Sequence, residues 1–341
     1  MASTVQTMKA FVLDRYRKGA ALRSVDMPLP DVGDRDVLVR IHAAGLNVLD
    51  AKLRSGEFKL ILPYQLPLVL GHDLAGVVVR VGAQVRDFKA GDEVYARPAD
   101  GRIGTFAEYI AVDERDVAPK PVTLDMAQAA ALPLVALTAW QALVEKANLQ
   151  RGQKVFIQAG SGGVGSIAIQ LARHLGATVA TTASAANSDW VRELGADVVI
   201  DYRKDDFEAV LRDYDVVLHS QDNDTLRKSL RTLKPGGKLI SISGPPDPAF
   251  ARAIGAPWYV RLAVRLLSSG VRRTARRLGV DFSFLFMRAD GQQLRRIGTL
   301  VDAGILRPVV DRVMPFDDAN AALAYVEAGH AKGKVVLAMT P

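Results

Sequence analysis

The glycine spacing between residues 155 and 166 constrains the fold of this chain more than any other feature. A short apolar run, Val155–Ile157, leads into Gly160, Gly162 and Gly165, which match the pattern G-x-G-x-x-G. Glycine at these positions permits a tight turn, lets backbone N–H groups approach a pyrophosphate, and lets the next helix lie close to the strand. The pattern predicts a strand, a dinucleotide-binding turn and a helix N-terminus; the alternative is a tight turn that binds nothing.

The residues after the glycines favour the binding turn. Apolar side chains from 167 to 175 recur at helical spacing, and Gly176 supplies a stop. The run Ala177–Ala183 is rich in β-branched residues and predicts a second strand. Strands and helices alternate from there to residue 243, which is typical of a doubly wound parallel sheet of the Rossmann type.

The end of the second predicted strand indicates which dinucleotide binds. An NAD site usually has Asp or Glu about 20 residues after the glycines, where it binds the ribose 2′-hydroxyl. Residues 183–187 contain no acid, and the next one is Asp189. A carboxylate would repel a 2′-phosphate, whereas hydroxyls and cations would bind it, so NADP(H) is the predicted cofactor. The predicted partners of that phosphate are Ser184, Tyr202, Arg203 and Lys204.

Composition limits the remaining possibilities. With 341 residues, 49% of them hydrophobic, the chain is long enough for two domains, and residues 8–120 predict a β-rich one. The absence of cysteine excludes disulfides, thiolate zinc sites, iron–sulfur clusters and a cysteine nucleophile. No apolar signal core or membrane-length run is present, so the expected location is the cytoplasm. A net charge of +7 identifies no partner by itself, and nucleic acid is not expected.

One segment departs from the rest of the sequence. No acidic residue lies between Asp247 and Asp281, yet residues 252–277 contain seven arginines interspersed with Trp, Tyr and Leu. One interpretation is a helix over the domain cleft with a solvated basic face. The other is a peripheral contact with anionic lipid.

Motifs in both halves of the chain resemble the medium-chain dehydrogenase/reductase superfamily, and most of all its zinc-independent quinone oxidoreductases and alkenal/enone reductases. They include residues 45–50, 71–76, 88–94, 137–143, 158–165, 194–197, 200–202 and 333–334. The resemblance implies an α/β protein with a GroES-like β-rich catalytic domain, residues 1–125 and 308–341, and a Rossmann domain, residues 126–307. It also implies a homodimer.

The resemblance also bears on zinc, because zinc alcohol dehydrogenases share this fold. Their first cysteine ligand would fall at Asn47 and their third ligand near Leu134, so only His72 has a counterpart. A single imidazole cannot hold catalytic zinc, which requires three protein ligands, and no metal site is predicted.

The activity implied by the resemblance is hydride transfer from NADPH to a quinone or to the β-carbon of an α,β-unsaturated carbonyl. Asn47 would lie beside the nicotinamide and substrate, although a turn-capping asparagine is the alternative. Tyr64 is one candidate proton donor and solvent water the other. The further cofactor-binding residues that the resemblance implies are Thr138, Gly160, Ser161, Gly162, Gly163, Val164, Ser184, Tyr202, Phe286 and Lys334.

Two alternatives and one departure from the family pattern accompany this interpretation. Phe286 ends an aromatic run, residues 282–286, that fits a core strand equally well. Many relatives have Lys at the position of Asn187, so one 2′-phosphate partner is missing. The alternative function is that of an NADPH-binding sensor, or a membrane- or RNA-associated protein, with little turnover.

Overall fold

A computed structural model describes residues 6–59 and 62–339. The chain divides after Leu137 and after Met287 into two compact units, the first formed by the two ends of the chain and the second by residues 138–287. The N-terminal part of the first unit contains β1 (Thr7–Leu13), β2 (Arg23–Pro28), β3 (Asp36–Leu46), α1 (Val48–Ser55), β4 (Leu68–Val69), β5 (Asp73–Val81), β6 (Glu93–Ala96), β7 (Tyr109–Asp113), β8 (Val117–Pro119) and α2 (Met126–Ala130). The next helix, α3 (Pro133–Trp140), begins in the first unit and ends in the second.

The second unit alternates strands with helices, as the sequence predicts. After α3 the chain continues as a π-helix to Lys146. The elements that follow are β9 (Lys154–Ile157), α4 (Gly163–His174), β10 (Thr178–Ala183), α5 (Ser188–Glu193), β11 (Val198–Asp201), α6 (Phe207–Val210), β12 (Tyr214–His219), α7 (Asn223–Arg231), β13 (Leu233–Ser241), α8 (Pro248–Ala253), α9 (Trp258–Leu267), α10 (Ser269–Leu278) and β14 (Asp281–Phe284).

The chain then returns to the first unit with α11 (Gly291–Asp302), β15 (Val310–Pro315), α12 (Ala319–Glu327) and β16 (Lys334–Ala338). Its larger sheet has the order β15-β16-β3-β5-β6-β8, with β7 also paired to β3, and the smaller sheet has the order β2-β1-β4. Alternate residues of β3, among them Val37, Val39 and Ile41, point into one apolar core with side chains from β5, β6 and α12. The predicted GroES-like sheet domain is confirmed.

The sheet of the second unit is parallel, with the order β11-β10-β9-β12-β13-β14. The chain proceeds from β9 outward to β11 and then crosses to β12, so the direction of winding reverses between β9 and β12. In open parallel sheets, ligands bind at the carboxyl ends of the strands beside such a reversal. The glycine turn follows β9 at this position, and the predicted Rossmann-type fold is confirmed.

The compact units meet at Leu137 and Met287, and the predicted domain boundaries at 126 and 307 stay a prediction. The helix α2 contacts β3 and β5, and α11 contacts β8, so both helices belong to the first unit. The contact between α11 and β8 requires glycine at residue 291, because a Cβ there would lie 2.4 Å from the carbonyl oxygen of Val117.

The segment 252–277 forms parts of three helices rather than one. None of the helices in the two described ranges is long and apolar enough to span a bilayer.

Candidate functional site

The turn between β9 and α4 requires glycine for packing at two of its three positions. A Cβ at Gly160 would lie 2.2 Å from Oγ1 of Thr181 on β10, and a Cβ at Gly165 would lie 2.2 Å from the carbonyl oxygen of Ala159. At Gly162 the nearest atom is that same oxygen, 3.4 Å away, which is ordinary contact. The protein therefore leaves the space beside Gly162 open, as close approach of a ligand to this backbone demands.

The helix α4 begins at this turn without a side-chain cap. Gly162 is its N-cap residue, in an extended conformation, and makes no side-chain hydrogen bond. The first N–H groups of a helix have no partner within it, and together with the helix dipole they favour an anion. Ala159 has a φ of +53°, a left-handed conformation that is strained for a residue with a side chain and is typical of functional turns. The turn fits the pyrophosphate of a dinucleotide.

The carboxyl ends of β10 and β11 lie side by side next to this turn. Ala183 pairs with Asp201, so Ser184 and Tyr202, which follow them, are neighbours. The Tyr202 side chain is 57% exposed, and the Arg203 guanidinium lies 5.8 Å from its ring centroid. β10 ends without an acid, although the neighbouring β11 ends at Asp201. The hydroxyls of Ser184 and Tyr202 and the Arg203 guanidinium are groups that fit the 2′-phosphate of NADP(H).

The first unit contains a buried set of polar and charged side chains that we call the polar cluster. Asn47, the N-cap residue of α1, begins it, and Asp50 in the first turn of that helix accepts a hydrogen bond from the Asn47 backbone N–H at 2.8 Å. The start of β5 and the start of β16 supply the rest. All members of the cluster are at most 6% exposed: Asn47, Asp50, His72, Asp73 and Lys334.

The Lys334 ammonium group lies at the centre of the polar cluster. It donates to the backbone carbonyl of Leu46 at 2.7 Å, to Oδ1 of Asn47 at 2.5 Å and to Oδ2 of Asp73 at 3.0 Å. These three bonds use all the N–H groups that a lysine has. A direct bond from Lys334 to the cofactor, which the resemblance implies, would require one of them to open.

Asp73 connects the other members of the polar cluster. Its Oδ2 also accepts from the Asn47 side-chain amide at 3.0 Å, and its Oδ1 accepts from the backbone N–H of Leu134 at 2.8 Å. Both ends of the Asn47 amide are thus fixed by charged partners. Asp73 was not among the predicted site residues, although an acid at the start of an otherwise apolar strand was the available signal.

His72 takes part in the polar cluster through Asp50. Its Nδ1 lies 2.6 Å from Oδ1 of Asp50, and its buried Nε2 has no hydrogen-bond partner in the described residues. Within those same residues, 6–59 and 62–339, no three His, Asp or Glu side chains are placed to hold a metal ion. Asp50, like Asp73, was not among the predicted site residues.

The remaining predicted site residues are divided between the two units. Tyr64, in the first unit, donates its hydroxyl hydrogen to the carbonyl oxygen of Asp100 at 2.5 Å, and burial raises the pKa of its phenol well above the usual range. Such a phenol keeps its proton and is a poor acid near neutral pH, which favours solvent water over Tyr64 as the proton donor. The role of Tyr64 as proton donor stays a prediction. Thr138 is buried at the start of the second unit. Phe286, near the end of the same unit, is half-buried, and its ring centroid lies 5.8 Å from that of Phe250.

His219, at the end of β12, is expected to make the stability of the second unit depend on pH. Its ring nitrogens lie 3.0 Å from Oγ of Ser241 and 3.0 Å from the carbonyl oxygen of Asp222, and burial lowers its pKa from 6.5 to about 4. Below pH 6.5 His219 is protonated in the unfolded chain, whereas in the folded chain it stays neutral down to about pH 4. The free energy of unfolding should therefore fall by about 3 kcal/mol as the pH drops through this window.

Denaturant unfolding at a series of pH values measures this effect. His219→Gln should flatten the dependence, whereas the exposed His330→Gln should leave it unchanged. An equal slope for the wild type and His219→Gln would contradict the assignment.

Comparison with known proteins agrees with this geometry. Residues 33–122 match the family model of the alcohol dehydrogenase GroES-like domain, and residues 194–337 match that of the zinc-binding dehydrogenases. A chloroplastic NADPH-dependent alkenal/one oxidoreductase of Arabidopsis thaliana is 36% identical in an alignment 351 residues long, gaps included, that covers 100% of this chain and 82% of that protein. The chain belongs to the medium-chain dehydrogenase/reductase superfamily.

Two further similar proteins support the zinc-independent group of the superfamily that the motifs predict. A 2-methylene-furan-3-one reductase of Solanum lycopersicum is 36% identical, over 98% of this chain and 80% of its own length. The structure of a quinone oxidoreductase from Coxiella burnetii superposes with a TM-score of 0.86 and 31% identity, covering 98% of this chain and 100% of the other. The predicted family, its zinc-independent group and the NADP(H) cofactor are confirmed.

Proposed function

We propose that this protein is an NADPH-dependent, zinc-independent reductase of quinones or of the β-carbon of α,β-unsaturated carbonyls. The observation that carries the proposal is the pairing, in one parallel sheet, of an uncapped helix N-terminus at Gly162 with an acid-free strand end at Ser184. The names of the relatives support the same chemistry, since they include an alkenal/one oxidoreductase and a quinone oxidoreductase.

The residues of this chain then have distinct tasks. When bound, NADPH supplies a hydride to the electrophilic carbon of the acceptor. The turn from Gly160 to Val164 binds the pyrophosphate, while Ser184 and Tyr202 bind the 2′-phosphate. Asn47, Thr138, Phe286 and Lys334 remain our candidates on the nicotinamide side, and solvent water or Tyr64 returns a proton to the reduced acceptor.

An assay of NADPH oxidation with a panel of quinones and enones tests the proposal. Product analysis separates its two parts, because β-carbon reduction leaves a saturated ketone, whereas carbonyl reduction leaves an allylic alcohol. We expect turnover with at least one class of acceptor and no allylic alcohol. No turnover across the panel with protein that binds NADPH would contradict the proposal and favour the alternative of a sensor with little turnover, which the relatives do not favour.

Cofactor preference depends on the neutral end of β10. Ser184→Asp places a carboxylate where the 2′-phosphate is proposed to bind, so the ratio of kcat/KM for NADPH to that for NADH should fall about 10- to 100-fold. Steady-state kinetics with both cofactors measures the ratio. Thr178→Asp adds the same charge to the exposed, opposite end of β10 and is the matched control. Equal ratios in the two variants would count against Ser184 as a phosphate partner.

Location and assembly complete the proposal. We propose a cytoplasmic location, supported by composition alone, and a homodimer, supported by the resemblance to the superfamily. Sedimentation equilibrium tests the second of these, and a concentration-independent monomer mass would contradict it.

A further inference from the structure

The helix α9 exposes an unusual number of large apolar side chains. Five of its ten residues are such side chains with at least 49% exposure: Trp258, Tyr259, Leu262, Leu266 and Leu267. Single exposed apolar residues are normal on protein surfaces, but a contiguous group of them marks a binding surface.

The exposed side chains of α9 form a stripe on the side of the helix that faces away from the core of the second unit. Each residue turns a helix by about 100°, so Trp258, Leu262 and Leu266 follow one another along one face. Val260 and Val264 lie on the opposite face, where they pack against Ala251 and Ala256 of the same unit. The stripe therefore cannot belong to the core of the second unit.

Arginines surround this stripe. Arg261 and Arg265 flank it on α9, and on α10 Val271 and Ala275 point into the core while four arginines lie on the other faces of the helix. In the described residues none of the seven arginines of 252–277 forms an ion pair, and the sequence contains no acid from 248 to 280.

Two hydrogen bonds hold the two helices in place for such a surface. The Arg261 Nε donates to the carbonyl oxygen of Ala256 at 2.6 Å, which fixes the start of α9. The Arg272 side chain donates to the carbonyl oxygen of Arg265 at 3.1 Å, which ties α10 to the last turn of α9. The apolar stripe and the arginines thus belong to one ordered surface.

We propose that α9 and α10 form a docking surface for an anionic phospholipid bilayer, with the α9 stripe inserted at the level of the headgroups. An amphipathic helix with Trp and Leu on one face and arginines beside it is suited to this interface. Each arginine near an anionic leaflet adds to binding, and Arg273, Arg276 and Arg277 are exposed and form no ion pair in the described residues, so they are available for it. A second copy of the chain is less suited, because a symmetric contact would bring two sets of arginines together.

Nucleic acid also attracts arginines, but it gives no role to an exposed row of leucines. The lipid surface explains both the charge and the stripe. The inference goes beyond the proposed function, and its test does not depend on turnover.

Vesicle flotation of the full chain tests the inference, with phosphatidylcholine vesicles that contain phosphatidylserine compared with phosphatidylcholine alone. We expect binding only to the anionic vesicles, weakened by salt. Leu262→Ser with Leu266→Ser, and separately Arg273→Gln with Arg276→Gln and Arg277→Gln, should each lower the partition constant by about tenfold or more.

Matched controls change the same chemistry elsewhere on the surface. Val122→Ser with Val210→Ser removes two isolated exposed apolar side chains, and Arg15→Gln with Arg17→Gln and Lys18→Gln removes three exposed charges. Both controls should float like the wild type. No binding by the wild type, or equal losses in variants and controls, would overturn the inference. So would a drop in oligomer mass in the Leu262/Leu266 variant, because the stripe would then be covered by a second copy.

Discussion

Gly162→Ala should bind NADPH about 10- to 100-fold more weakly than the wild type, a loss of about 1.4 to 2.8 kcal/mol. The added methyl group meets no protein atom closer than 3.4 Å, so its cost falls on the ligand that approaches this backbone. The free energy of unfolding should change by no more than about 1 kcal/mol, the usual range for an N-cap substitution. Fluorescence titration with NADPH and denaturant unfolding measure the two quantities.

Gly165→Ala is the contrasting variant. Its methyl group would lie 2.2 Å from a backbone oxygen and 2.8 Å from the Cα of Gly160, so the turn itself must move. We expect a loss of stability of about 1–3 kcal/mol. Gly101→Ala, with no atom within 4 Å of the added carbon, should change neither property. If Gly162→Ala loses stability rather than NADPH affinity, the turn is structural and the pyrophosphate assignment is wrong.

Lys334→Met should destabilise the protein by about 3–5 kcal/mol, because it leaves the Asp73 carboxylate buried without its cation. Lys334 is 5% exposed and Asp73 fully buried, with 3.0 Å between Nζ and Oδ2. Two more acceptors, Leu46 and Asn47, lose their donor as well. Denaturant unfolding measures the loss, and Lys332→Met, at an exposed position two residues away, should lie within about 0.5 kcal/mol of the wild type.

A double-mutant cycle isolates the ion pair. Asp73→Asn combined with Lys334→Met should cost less than the sum of the single losses, because the second change removes the charge that the first left unpaired. Additive losses would mean that the two side chains do not depend on each other. The same pair of charges hydrogen-bonds both ends of the Asn47 amide.

Local signals in the sequence predict the cofactor half of the site. The roles of Gly160 and Gly165 depend on close contacts within one strand-turn-helix unit, which the spacing of the glycines encodes. Ser184 and Tyr202 come together because each follows a parallel strand, and parallel strands end at the same edge of a sheet.

The contacts within the polar cluster cannot be predicted from local sequence patterns. Lys334 and Asp73 are 261 residues apart in the chain, and no periodicity relates them. The resemblance points to Lys334 and Asn47, yet the carboxylate that connects them appears only once β16, β3 and β5 are paired. The strand β2 carries no local signal either, because its residues are exposed or half-buried and show little apolar pattern.

The segment 252–277 shows a third kind of limit. Its composition indicates amphipathic helices, but three helices replace the single predicted one, because Pro257 and the turn at Ser268 interrupt them. Only the structure shows which apolar residues face the core and which form the exposed stripe.

The position of the transferred hydrogen tests the central claim most directly. The protein, treated with a metal chelator, is incubated with an enone and NADPH that carries deuterium at C4 of the nicotinamide, and the product is analysed by NMR. We predict deuterium at the β-carbon of a saturated ketone, with full activity after chelation. Deuterium at the carbonyl carbon, or loss of activity that added zinc restores, would contradict the account.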